Sequence, residues 1–285
     1  MKSMKFAAIG DNCVDLYIST GYYFPGGGPV NFAVHSRRLG IESSYIGVIG
    51  NDEKGRAIKD ALMAEKVDVS FLLTADGPTA EARVKLVNGD RIFCGSDRGV
   101  RGQLKVTDEI MNFISQHTLV HTTLDGNVDD DLKKFKNAGL MVSYDYSHRY
   151  TQEQLVKTIK YVDYGFFSGA HYTFEEAEKK LRQLRSYYGE RVLVMTLGER
   201  GSMVFCDGKL YYQEAIKIQA MDTLGAGDAY IAAFLVSVLS GDSIETGMKK
   251  ASEYAAGVCT YNGAFGYGRR ISGADICDAE GSKRQ

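Results

Sequence analysis

The chain has 285 residues, 44% of them hydrophobic and 25% charged, enough to bury a core and stay soluble. A net charge of −2 with no basic stripe points away from nucleic acid and membrane surfaces, and no apolar run reaches the ~18 residues of a membrane span. Five scattered cysteines form no Cys-x-x-Cys pair, so neither a zinc site nor a disulfide framework is indicated; with a start that carries no secretory pattern, they predict a cytoplasmic protein.

In chain order, residues 6–9 predict a buried strand that ends at Gly10-Asp11-Asn12. Residues 44–49, 119–122, 141–144, 164–167 and 192–195 predict further strands. Helical patterns fill the gaps at 30–39, 55–65, 152–161 and 175–188, and an apolar helical run covers 229–239. Such alternation predicts an α/β fold: a doubly wound, mostly parallel sheet with helices on both faces. Ligands in such sheets bind beyond the C-terminal strand ends. Two regions break the rhythm, at about 14–24 and 79–97, with a hairpin signal at Asn88-Gly89-Asp90. They predict inserted strands that form either a small lid or a plain sheet edge. No linker or repeat divides the chain, so residues 1–285 are expected to be one domain, with a polar, frayed tail from 271.

Several segments carry chemistry. Asp11 and Asn12, at a strand end, can hold sugar hydroxyls; Asp11 can equally be a turn residue. Gly26-Gly27-Gly28-Pro29-Val30-Asn31 opens a helix, and its glycines permit close backbone approach to a polar ligand. Thr196-Leu197-Gly198-Glu199-Arg200-Gly201-Ser202 follows a predicted strand and by itself reads as an ordinary turn between strands. The segment Asp222-Thr223-Leu224-Gly225-Ala226-Gly227-Asp228 places small residues and a carboxylate at a helix start, where open N–H groups and the macrodipole attract anions. It is either a cradle for phosphate with an adjacent base or a simple helix cap. Small residues from Ala255 to Ala264, including Asn262, form a shelf fit for a flat base.

Together these segments resemble the ribokinase-like, or PfkB, carbohydrate kinases. The family's D-T-x-G-A-G-D matches residues 222–228, its G-G-x-x-x-N matches Gly26, Gly27 and Asn31, its T-L-G-x-x-G matches residues 196–201, and its G-x-x-G-x-D-x-x-G matches residues 47–55. The resemblance spans residues 6 to about 268 and implies a ribokinase-like fold with a small β-sheet lid through which two subunits can pair. It makes Asp228 the catalytic base and Gly225, Ala226 and Gly227 an anion hole. Asp11, Gly26, Gly27 and Asn31 would contact the sugar. Thr196, Gly198, Gly201 and Asn262 would lie against ATP, Mg2+ would arrive with ATP, and Asp222 would help hold K+. Arg38 and Asp52 would be structural.

Two departures stand out. The family's N-x-x-E element is not intact around Ser168 to Glu176, so no protein ligand of Mg2+ is assigned. Asp145-Tyr146-Ser147-His148-Arg149 matches a family D-x-N-x-R pattern only in part.

Gly10-Asp11-Asn12-Cys13-Val14-Asp15 resembles the opening of the fructoselysine 6-kinases within this family. That implies ATP-dependent phosphorylation of the 6-hydroxyl of fructoselysine or a related fructosamine, with lid arginines Arg83, Arg91 or Arg98 meeting the amino-acid carboxylate. The alternatives are a kinase for fructose, ribose or a nucleoside, and a silent sugar or nucleotide sensor, against which the intact Asp228 argues.

Overall fold

Everything in the main sheet is arranged around its first strand, β1 (Lys5–Ile9). The computed structural model describes residues 4–87, 90–189 and 191–271. The Asn88-Gly89 part of the expected hairpin signal and the expected frayed tail beyond Ile271 lie outside the described residues. After β1 come β2 (Cys13–Tyr17), β3 (Tyr22–Gly26), α1 (Gly28–Arg38), β4 (Glu42–Gly50), α2 (Glu53–Ala64), β5 (Leu72–Ala75), β6 (Glu81–Val87) and β7 (Asp90–Asp97). The middle of the chain gives α3 (Asp108–Ile114), β8 (Leu119–Thr123), α4 (Leu132–Asn137), β9 (Met141–Asp145), α5 (Gln152–Thr158), β10 (Tyr164–Ser168) and α6 (Phe174–Tyr188). The last part gives β11 (Val192–Thr196), β12 (Ser202–Cys206), β13 (Lys209–Gln213), α7 (Ala226–Leu239), α8 (Ile244–Val258) and β14 (Arg269–Arg270).

Among the described residues the main sheet has the order β13-β12-β11-β10-β9-β8-β1-β4-β5. Its strands run parallel from β5 to β11, and β12 and β13 close one edge antiparallel. Strand order reverses at β1: the chain moves outward through β4 and β5, then returns to β8 on the other side. The crevice above β1 and β8 is therefore the switch point where such sheets take ligands. A second sheet, β14-β3-β2-β6-β7, stands over that end.

Strand alternation sorts the core into two layers. Phe6 and Ala8 pack on one side with α1, α2, α7 and α8; Ala7 and Ile9 pack on the other with α3 to α6. The middle of α7 is apolar nearly all round because it is covered on more than one side: Tyr230, Ile231, Phe234 and Leu235 are all buried. Each such side chain contributes about 1.5–3 kcal/mol of transfer free energy. Helix starts are fixed by local side chains. Thr107, Thr151 and Ser243 cap α3, α5 and α8, and Thr173 with Glu176 closes a capping box on α6.

All six predicted main-sheet strands and the five helical runs are present. Region 14–24 is a two-stranded ribbon, β2 and β3, paired antiparallel. The expected helix at 152–161 stops at Thr158 and continues as a 3-10 turn. The short elements β5, α3 and α4 have no counterpart in the sequence reading, because four to seven residues give too few repeats to show a period.

Candidate active site

Two helix N-termini meet at the switch point. In α7, Gly225 is the N-cap with φ 73°, and a Cβ there would lie 2.4 Å from Ala264 Cβ, so only glycine fits. No side chain caps this helix; the half-exposed Ala226 donates its N–H to Thr223 O at 3.3 Å, and the exposed Gly227 and then Asp228 follow in the same turn. In α1, Pro29 occupies the first turn and Asn31 projects from it. Asn31 Nδ2 donates to Asp228 Oδ2 at 2.7 Å, joining the two turns. Asn31 Oδ1 is buried with no protein partner, an acceptor open to a substrate hydroxyl.

The strand ends supply the rest. Asp11, just past β1, accepts from Thr123 Oγ1 at 2.6 Å, at the end of β8. Gly28 lies between the two centres: a Cβ there would meet Thr123 Cγ2 at 2.7 Å and Asp228 Oδ1 at 3.4 Å. Gly26 and Gly27 are forced by crowding. A Cβ on Gly26 would lie 2.5 Å from Asp15 Oδ2, and one on Gly27, with φ 107°, 2.7 Å from Asn12 Cα. Asp15, on β2, thus lines the same floor and is buried.

The electrostatics are strongly acidic. Burial, followed by the charges of Asp145, Asp11 and Asp15, pushes Asp228 up to about 8, against the hydrogen bond from Asn31. Asp145, at the end of β9, is raised to about 6 by burial, with Asp11 and Asp125 adding to the effect. Asp11 is raised by burial, while Thr123 and Arg101 oppose. Arg149, from the partial family match, pairs with Asp125 at 2.5 Å. Carboxylates gathered from the ends of β1 and β9 and from the middle of β2 thus add to burial in holding the Asp228 proton.

Other expected residues are placed differently. Asn12 is buried: its Nδ2 donates to Tyr45 Oη at 3.0 Å and Val48 O at 2.8 Å, which braces the floor, while its Oδ1, like that of Asn31, has no protein partner. Arg98 is exposed and Arg83 pairs with Glu81 at 2.6 Å; the Arg91 side chain lies outside the described residues. Arg101 was not singled out, yet its charge is felt at Asp11 and Cys13. Thr196 ends β11 and Gly198 opens a 3-10 turn to β12. Gly201 is a conformational residue: it has φ 107°, and a Cβ would lie 2.0 Å from Gln213 O.

Asn262 is exposed beside Gly263, whose N–H donates to Asp222 Oδ2 at 2.9 Å. The Asp222 carboxylate also accepts from Tyr17 Oη at 2.6 Å and Leu224 N at 2.9 Å. It therefore ties the tip of β2, the approach to α7 and the 259–267 loop together. Arg38 and Asp52 are structural, as expected. Arg38 spans Glu65 and Phe265 O, while Asp52 caps α2 and accepts from Thr79 N and Oγ1. Glu176 is occupied in its capping box, and among the described residues no group of three or more His, Cys, Asp or Glu could hold a metal ion. No helix among them is long and apolar enough to cross a membrane.

Comparison with known proteins gives one consistent result. The model of the pfkB family carbohydrate kinases matches residues 3–266. Fructosamine kinase FrlD of Bacillus subtilis is 37% identical over 270 residues, covering 93% of this chain and 94% of the relative. Fructoselysine 6-kinase of Escherichia coli is 30% identical over 259 residues, covering 91% and 98%. Among solved structures, Arabidopsis thaliana ribokinase complexed with ribose and ATP superposes with TM-score 0.81 at 21% identity, covering 98% of this chain and 99% of that one, a likeness of fold.

Proposed function

The chain belongs to the pfkB family of carbohydrate kinases, and from that premise we propose that it transfers the γ-phosphoryl group of ATP to the 6-hydroxyl of fructoselysine or a related fructosamine. The observation that carries the kinase chemistry is Asp228, held by Asn31 at the first turn of α7. The relatives named for fructosamine and fructoselysine carry the substrate class. The acidic floor of Asp11, Asp15, Asp145 and Asp228 supports it, because a fructosamine brings a protonated secondary amine that an uncharged sugar lacks.

In this reading the sugar lies across Gly26 and Gly27, with ring hydroxyls on Asp11, Asp15 and Asn31. Asp228, ionised, accepts the proton of the 6-hydroxyl as that oxygen attacks the γ-phosphorus and the bond to the ADP oxygen breaks. The first-turn amides of α7 face the charge that builds on the transferred oxygens, a contribution of about 3 kcal/mol per donor. Mg2+ comes in on the nucleotide and, when bound there, neutralises phosphate charge. Thr196, Gly198 and Asn262, at neighbouring strand and loop ends, are proposed to border the nucleotide. For Asp222, three protein donors on the carboxylate support a joining role over K+ ligation, and no step is routed through that ion.

The test is ADP release with Mg-ATP on fructoselysine, other fructosamines, fructose, ribose and adenosine, with the product's phosphorylated carbon located by NMR. Preference for a fructosamine with phosphate on C6 supports the reading. Preference for a free sugar or nucleoside overturns its substrate half, and no transfer from ATP to any acceptor overturns the kinase half.

A further inference from the structure

The substrate floor is ringed by carboxylates, yet one cation is built into its edge. Arg101 lies in the 3-10 turn Gly99–Gln103 that follows β7. That turn is clamped on both sides. Val100 N donates to Pro78 O at 3.0 Å, and a Cβ on Gly99 (φ 48°) would lie 2.3 Å from the same oxygen. Opposite, Asn127 Nδ2 donates to Gly102 O at 3.3 Å. The residue before Asn127, Gly126, is so near the end of β1 that a Cβ on Gly10 would lie 2.6 Å from its Cα. The clamps hold Arg101 beside the Asp11 end of the site, and its charge acts on Asp11, Cys13 and Tyr45. Arg101 Nε is buried with no hydrogen-bond partner, and Arg101 makes no salt bridge among the described residues. A buried guanidinium N–H without an acceptor is costly unless a ligand supplies one. The guanidinium fork suits a carboxylate, which it can grip through two parallel bonds.

The position of Arg101 along the site sets what it can reach. Asp228 and Asp11 are separated by Gly28 and Thr123. With the 6-hydroxyl at Asp228, the opposite end of the ketose, C1 and its nitrogen, lies toward Asp11 and Arg101. In a conjugate made through an α-amino group, the carboxylate sits on the carbon next to that nitrogen. In one made through the lysine ε-amine, it is a whole side chain further out. We propose that Arg101 is a specificity-determining residue that binds the substrate's amino-acid carboxylate, so that the site selects fructosamines linked through the α-nitrogen over those linked through a lysine side chain. This rests on the fructosamine reading above.

The experiment compares kcat/KM of the full chain with Mg-ATP on three acceptors: fructosyl-glycine, the carboxylate-free 1-deoxy-1-(methylamino)fructose, and ε-linked fructoselysine. Fructosyl-glycine is expected to exceed the carboxylate-free amine by ~10–100-fold, the value of a charge-assisted hydrogen-bond pair, with the ε-linked conjugate near the carboxylate-free level. Arg101→Met is expected to collapse that ratio to within ~3-fold, through a raised KM for fructosyl-glycine. If Arg101→Met does not fold, the wild-type ratios decide alone. Equal wild-type turnover of all three acceptors, or a ratio that survives Arg101→Met, overturns the assignment and leaves the fructosamine reading standing. Turnover of fructose or ribose with none of the three overturns both.

Discussion

Asn31 and Asp228 meet at 2.7 Å across the first turns of two helices drawn from opposite ends of the chain. The amide fixes the carboxylate in one orientation and favours its ionised form, while the neighbouring carboxylates and burial oppose ionisation. The predictions follow from that opposition and from the joints that hold it.

Asp228→Asn keeps shape and removes the proposed proton acceptor. Turnover should fall at least ~10²-fold while the KM for ATP changes little, measured by ADP release. Near wild-type turnover would refute the role.

The same variant reports on burial through stability. Asp228 is raised to about 8 in the folded chain, against about 3.9 unfolded. Between these values the unfolded chain gives up the proton and the native one keeps it, so this group makes wild-type stability decline as pH rises from about 4 to about 8. The melting temperature of Asp228→Asn should therefore gain on wild type across that window and hold its lead above it. A pH-independent gap would contradict the acidic surroundings described.

In the proposed mechanism the ionised carboxylate is the active form, so kcat/KM for the sugar acceptor should climb with pH to a plateau above about 8. Asp145 is the largest charged contributor to the raised value. Asp145→Asn should shift the acidic limb of the profile to lower pH. An unmoved limb means that the two carboxyls are not coupled.

Gly225→Ala places a Cβ at φ 73° and 2.4 Å from Ala264 Cβ. The strain and clash should cost about 2–4 kcal/mol in urea unfolding, and the displaced first turn should lower kcat. Unchanged stability would show that the 259–267 loop yields freely.

Tyr17→Phe removes one donor from a buried carboxylate, with an expected cost of about 1.5–3 kcal/mol. Since Asp222 also holds Gly263 and Leu224, the KM for ATP should rise while that for the sugar moves less. Parallel assays in K+ and in tetramethylammonium buffers should agree. A strong K+ requirement would return Asp222 to the role of cation ligand.

Much of the candidate site was legible as local pattern because its parts are short runs. Gly225 to Asp228, Gly26, Gly27 and Asn31 are short runs in which glycine and a polar residue mark a helix start, and the main-sheet strands announce themselves as apolar runs. What stayed hidden depends on pairing across the chain. Thr123 joins Asp11 only because β8 returns beside β1. Asp145 joins them from β9. The Asn12 amide N–H contact to Tyr45 was equally hidden, because it depends on β4 lying beside β1. Likewise Arg98 and Arg101 are indistinguishable as letters, and only the 3-10 turn settles which one is directed inward.

The crowd of carboxylates has a further effect, on sulfur. Cys13 opens β2 on the same floor, and burial together with Asp15 and Asp11 raises its thiol well above its usual value. A thiol kept from ionising reacts slowly with alkylating agents and peroxides. Burial and the field that makes Asp228 reluctant to lose its proton should thus act together on this sulfur, and iodoacetamide labelling at neutral pH should leave Cys13 among the last cysteines modified.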